Sequence, residues 1–178
     1  MKTLDRTARA YCTLTVDAAR QQGVTTVSNA SVRRQAIVGL VSIIVARDLA
    51  KKERLTIQPS SYELTAMQRQ QLTKAFPDED ADELTGVIED SQEVSAIAVA
   101  LAEKTTNQQA TADNEAQFAE LGQAAILKTF RANDVQFAPR FGLAPDGKQR
   151  SDTGSIAVTP VDLEAPVDEE LPAALRCS

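Results

Sequence analysis

Four carboxylates stand where calcium chemistry would want them. Asp78, Asp80, Asp82 and Glu89 fall at positions 1, 3, 5 and 12 of an EF-hand loop, the spacing that aims carboxylates at one cation. The pattern departs from that loop in three places. Position 6, a glycine where the loop turns sharply, is Glu83; position 8 is Thr85 rather than a branched apolar residue; and Pro77 stands where an entering helix would continue. The alternative is an acid-rich helix start, stabilised by the positive end of the helix dipole.

A second constellation is basic. Ala19-Arg-Gln-Gln-Gly23-Val24 has the Ala-x-x-x-Gly-Val spacing of a helix-turn-helix, and Val32 falls where a recognition helix places a core residue. Arg33 and Arg34 follow it and could meet phosphates or base edges in a major groove. These residues resemble the family of phage and bacterial helix-turn-helix regulators. Asn29 stands where that motif has an apolar residue, and the Thr/Val-rich spacer is longer than a tight turn. Two ordinary helices joined by a loop would also give this pattern.

Most other chemistry is removed by composition. The 178 residues contain no His and no Trp, so no Ser-His-Asp or Cys-His pair exists and no His-ligated metal. There is no Gly-rich phosphate loop of either common form. Carboxylate pairs suited to glycoside hydrolysis are plentiful, but the aromatic platforms of sugar sites are missing, and Tyr11 and Tyr62 read as residues at the core edge. Cys12 and Cys177 form no CxxC motif; two free thiols are the expectation, with a disulfide between them the alternative. The expectation is a protein with no catalytic, cofactor-binding or metal-binding residues.

Helices must position whatever remains. Leu4, Ala8, Tyr11, Leu14 and Ala18 recur at helical steps over 3–22, and Gly23 ends the pattern. Residues 30–54 form the most apolar helix, capped by Asn29 or Ser31, and should be the central one. Its run Ala36 to Ala46 is only 11 residues, against about 20 for a bilayer span, and reads as core; Ile37, Leu40, Val41 and Ile44 are its candidate subunit-interface or membrane-facing residues. Ser60 and Glu63 have capping-box spacing for a helix over 61–76, stopped at Phe76-Pro77. The acidic run from Asp78 opens a helix to about Lys104, and another follows over about 108–132. A very short turn between these two makes them antiparallel neighbours, and their Ala-rich faces allow close approach.

After Asn133 the helical period ends. Five of the seven prolines lie between Pro139 and Pro172, Ser155 to Thr159 could form a short strand, and the acidic remainder has the composition of a disordered tail. The fold expected is therefore mainly α: a helical bundle over 1–132 with a long antiparallel helix pair, then an extended, largely irregular, Pro-rich acidic tail over 133–178. The charged start predicts no secretory leader.

Charge is segregated along this chain. Residues 1–77 hold 12 Lys/Arg against 5 Asp/Glu, a net of +7, and residues 78–178 hold 7 against 20, a net of −13. The basic half could attract nucleic acid, an anionic membrane or an acidic partner, or the halves could neutralise each other within or between copies. With 28 alanines, few aromatics and this helical content over about 1–132, the chain is similar in style to the small internal (ejection) virion proteins of short-tailed bacteriophages. That resemblance implies a non-enzymatic virion component, internal or connector-type. It would assemble with itself and other virion proteins and help DNA cross a cell envelope, with 36–46 at a membrane or subunit interface. The alternative is a cytoplasmic helix-turn-helix DNA-binding module, such as a regulator or small terminase-like subunit, with Arg33 and Arg34 as its DNA contacts.

Overall fold

The computed structural model describes residues 2–24, 26–150 and 175–177. The protein is mainly α, with five helices and no strand among the described residues: α1 (Lys2–Gln21), α2 (Asn29–Lys52), α3 (Ala66–Ala75), α4 (Ala81–Thr106) and α5 (Glu115–Ala132). Helix α4 packs on all four other helices; α2, expected to be the central one, packs on α1, α4 and α5.

The α1 pattern ends at Gly23 for a backbone reason. Val24 N–H bonds to Ala19 C=O at 2.9 Å and Gly23 N–H to Arg20 C=O at 3.0 Å, with Gly23 at φ +76°. This is a Schellman cap, which needs the left-handed conformation that glycine adopts without strain. Helix α2 begins at Asn29, so neither Asn29 nor Ser31 is its cap. Ser28 holds that position in extended backbone, without a side-chain capping bond. Its extended form follows from pairing: Cys177 N–H donates to Val27 C=O at 2.8 Å, and Ser28 bridges antiparallel to Arg176.

That pairing belongs to a larger correction. Cys12 and Cys177 are not free thiols; they form a disulfide, with Cα atoms 5.5 Å apart across a sequence separation of 165. Residues 175–177 are thus fastened to α1 and to the α1–α2 connection of the same chain. The candidate strand Ser155–Thr159 and the acidic stretch 151–174 lie outside the described residues.

Helix α3 starts five residues later than the Ser60/Glu63 spacing implies. Pro59–Ser61 forms a 3₁₀ turn, and Ser61 Oγ donates back to Gln58 C=O at 2.7 Å. The capping box is instead Thr65 with Gln68: Gln68 N–H donates to Thr65 Oγ1 at 3.3 Å, and Thr65 N–H to Gln68 Oε1 at 2.8 Å. The Leu64 N–H just before it donates to Glu89 Oε1 at 2.9 Å, which fixes where the chain turns into the helix.

Helices α4 and α5 form the antiparallel pair, but through an eight-residue connection, 107–114, rather than a very short turn. Asn107 closes α4 in the left-handed region at φ 55°. Thr111 N–H then donates to Asn114 Oδ1 at 2.7 Å, a local turn that consumes 111–114 and delays α5 to Glu115. The small-residue seam is as expected. A Cβ on Gly122 would lie 1.8 Å from the Ala98 carbonyl oxygen, so the two backbones touch there.

Two apolar clusters hold these elements. Val45, Ala46 and Ala50 of α2, Ile97, Ala98 and Leu101 of α4, and Ile126 and Phe130 of α5 make the larger one. Ala10 of α1 with Leu84 and Val87 of α4 makes the second, joined by Leu72 of α3 and by Phe76. Residues 133–150 are irregular yet packed. Val135 and Phe137 cover the larger cluster, Leu143 is buried, and a 3₁₀ turn, Pro139–Phe141, is closed by Gly142 at φ 60°.

Candidate functional site

Two of the calcium-spaced carboxylates, Asp80 and Glu89, have structural tasks. Asp80 is the N-cap of α4: its Oδ1 accepts from Asp82 N–H at 3.1 Å and Glu83 N–H at 3.2 Å. From Ala81 onward the chain is helix, so the carboxylate of Glu89 rides on α4 instead of closing a loop. It accepts from Arg69 Nη2 at 2.8 Å and from Leu64 N–H. Among the described residues no three His, Cys, Asp or Glu side chains gather as a metal would require.

The next turn of α4 faces α2. Arg47 Nη2 reaches Asp90 Oδ1 at 2.9 Å and Glu93 Oε2 at 2.5 Å, and its Nε meets both Glu93 oxygens at 3.1 Å. The Glu93 side chain is only 14% exposed, so this fork satisfies a largely desolvated carboxylate. The hydrogen bond to Glu93 chiefly raises the Arg47 pKa above its ordinary value. Burial raises the Asp90 carboxyl; Arg47 opposes that shift, while Glu93 and Glu89 add to it. Burial, and then the Asp90 charge, raise the Tyr11 phenol. Arg47 and Arg69 come from the basic half and their partners from the acidic half, so part of the charge split is neutralised within one chain.

The Ala-x-x-x-Gly-Val spacing coincides with the Schellman cap on α1, and residues 22–28 separate α1 from α2. Arg33, on the first turns of α2, pairs with Asp5 of α1, with both side chains about half exposed. Arg34 has no ion pair among the described residues. The fold adds a third guanidinium to these two. Arg33, Arg34 and Arg140 line one hollow of about 360 Å³, with Leu4, Ala30 and Phe141 as apolar lining and Asp5 as its one carboxylate. Arg140 lies over the Phe141 ring, 4.8 Å from its centroid. A second hollow of about 340 Å³ shares Arg34 and is lined by Val38, Leu143 and Gly147. Reading 133–178 as one irregular tail hid Arg140 and Phe141. The local signal was Pro139-Arg-Phe-Gly142, a proline-started, glycine-stopped turn.

The apolar stretch of α2 is unevenly covered, even within the single stripe Ile37, Leu40, Val41 and Ile44. Of residues 36–46, Ala36, Ile37, Ile43, Val45 and Ala46 are buried in the bundle, so Ile37 is a core residue rather than an outer one. Leu40 and Val41 are half-buried, and Ile44 is 66% exposed. No helix among the described residues is long and apolar enough to cross a membrane.

A hollow of about 680 Å³ lies between the 56–68 segment and α4. Ser60, Ser61 and Ser95 line it, but a chain without histidine offers them no imidazole base. Set against protein-family models, curated proteins and solved structures, the chain matches none.

Proposed function

We infer that the protein is a non-enzymatic structural subunit that assembles with copies of itself, as part of a bacteriophage particle. The observation that carries this reading is Ile44, a large apolar side chain 66% exposed beside half-buried Leu40 and Val41 on α2. A second copy is the natural cover, because the charge left over after internal pairing is still segregated. Arg6, Arg9, Arg20 and Arg34 near the N-terminal end, and Asp82, Glu83, Asp113 and Glu120 on the later helices and their connection, have no ion pair among the described residues. Complementary patches of this kind steer head-to-tail contact.

Ile44→Asp tests it. Because Ile44 is exposed in the single chain, the substitution should leave folding stability within about 0.5 kcal/mol of wild type. Light scattering after size exclusion should show an oligomer for wild type, smaller at high salt, and a monomer for Ile44→Asp. A wild-type chain that stays monomeric at every concentration, or an Ile44→Asp chain that assembles normally, would overturn the reading.

A further inference from the structure

We propose that the hollow lined by Arg33, Arg34 and Arg140 binds the phosphate of a phosphorylated ligand. Three guanidiniums against one carboxylate leave it strongly positive in a chain whose net charge is −6. Asp5 already pairs with Arg33, while Arg34 and Arg140 have no carboxylate partner among the described residues. Guanidinium forks match phosphate oxygens two at a time, and the preference is for oxyanions over neutral ligands.

The walls are anchored from separate elements. Leu4 comes from α1, and Ala30, Arg33 and Arg34 from the start of α2. Arg140 and Phe141 come from a turn held by Gly142 N–H on Pro139 C=O at 3.0 Å and by the buried Leu143 beyond it. Stacking over Phe141 restrains Arg140, so less of its freedom is lost when an anion arrives. The first turn of α2 contains no acidic residue, and its amide dipoles add to the positive field. Phe141 and Leu4 give an apolar surface beside the charged groups, suited to a ligand whose phosphate is attached to an organic body. The assembly reading is not required for this site.

The test measures fluorescence anisotropy of a labelled single-stranded oligonucleotide, and calorimetry with inorganic phosphate and with a mononucleotide, on the full disulfide-bonded chain. Wild type should bind at least one of these probes. Arg34→Gln/Arg140→Gln should weaken that binding by about tenfold or more, and Arg34→Lys/Arg140→Lys, which keeps charge but loses the forks, should fall between. Lys51→Gln/Lys52→Gln removes the same charge from the far end of α2 and should change affinity less than about threefold. Oligonucleotide binding that excess inorganic phosphate does not displace identifies a polymer backbone as the source. Competition by phosphate or mononucleotide identifies a free phosphate ester. Wild type that binds none of the three, or an Arg34→Gln/Arg140→Gln protein with helical circular dichroism and unchanged affinity, overturns the proposal.

Discussion

Two glycines in the long helices should respond oppositely to the same substitution. In an exposed helix interior, Gly→Ala stabilises by about 1 kcal/mol, because alanine loses less backbone entropy on folding. Gly86 of α4 is exposed, with nothing within 4 Å of an added Cβ, so Gly86→Ala should gain close to that amount. Gly122 of α5 is buried, and its added Cβ would lie 1.8 Å from the Ala98 carbonyl oxygen. That oxygen is backbone inside α4 and cannot rotate away. Reaching even a 3.0 Å contact requires the helices to part by 3.0 − 1.8 = 1.2 Å. A gap of about 1 Å forfeits a quarter to a half of the dispersion energy of the atoms across it. Here those atoms include Ala98, Leu101, Ile126 and Phe130 of the larger core. Overpacking of this kind costs about 1–3 kcal/mol or more, so after the gain in helix propensity Gly122→Ala should lose about 2 kcal/mol. Urea unfolding followed at 222 nm, with the disulfide intact, should then separate the two variants by about 3 kcal/mol. A Gly122→Ala protein as stable as wild type would refute the backbone contact between α4 and α5.

Reduction of the Cys12–Cys177 disulfide should destabilise the fold by about 2–5 kcal/mol, since the bond joins residues 165 apart and restricts the unfolded chain strongly. Thermal melts with and without reductant check this. Reductant should have no effect on Cys12→Ser, and a wild-type midpoint indifferent to reductant would contradict it. Asp90 gives a pH dependence opposite in sign to that of a typical paired carboxylate. Its folded pKa is raised, so between the ordinary carboxylate value and that raised value the folded state holds more protons than the unfolded state. The Asp90 contribution therefore makes stability fall as pH rises through that window. Asp90→Asn should remove this slope and be at least as stable as wild type at neutral pH, because Arg47 keeps Glu93. A loss of more than about 1 kcal/mol at neutral pH would show that the exposed half of the Arg47 fork stabilises more than such pairs usually do.

The helices were legible where burial imposes a period. The run Ala36 to Ala46 is apolar on most of its circumference, which predicts a helix packed on several sides; α2 does meet α1, α4 and α5, but α4 is the helix that meets all four others. Their ends were less legible, because several caps were available. Ser60/Glu63 and Thr65/Gln68 both have capping-box spacing; the choice falls to Pro59, which starts a 3₁₀ turn, and to Glu89, which holds the Leu64 N–H from 25 residues away. Ile37 and Ile44 are seven residues apart and share one face of α2, yet neighbouring elements bury the first and leave the second exposed.

Composition and local pattern decided the class of this protein. A chain apolar at helical steps and split in charge builds amphipathic helices, and some of its opposite charges pair across them. Tertiary structure decided which groups meet. Cys12 and Cys177 share a bond, Arg47 forks onto Asp90 and Glu93, and Arg140 joins Arg33 and Arg34, each across at least 43 residues of sequence. Gly86 and Gly122 are the same residue in similar helical surroundings, and only the second meets another backbone. Periodicity follows from the geometry of one helix and can be read locally. Contacts between helices depend on how several are packed at once, and no local stretch of residues contains that information.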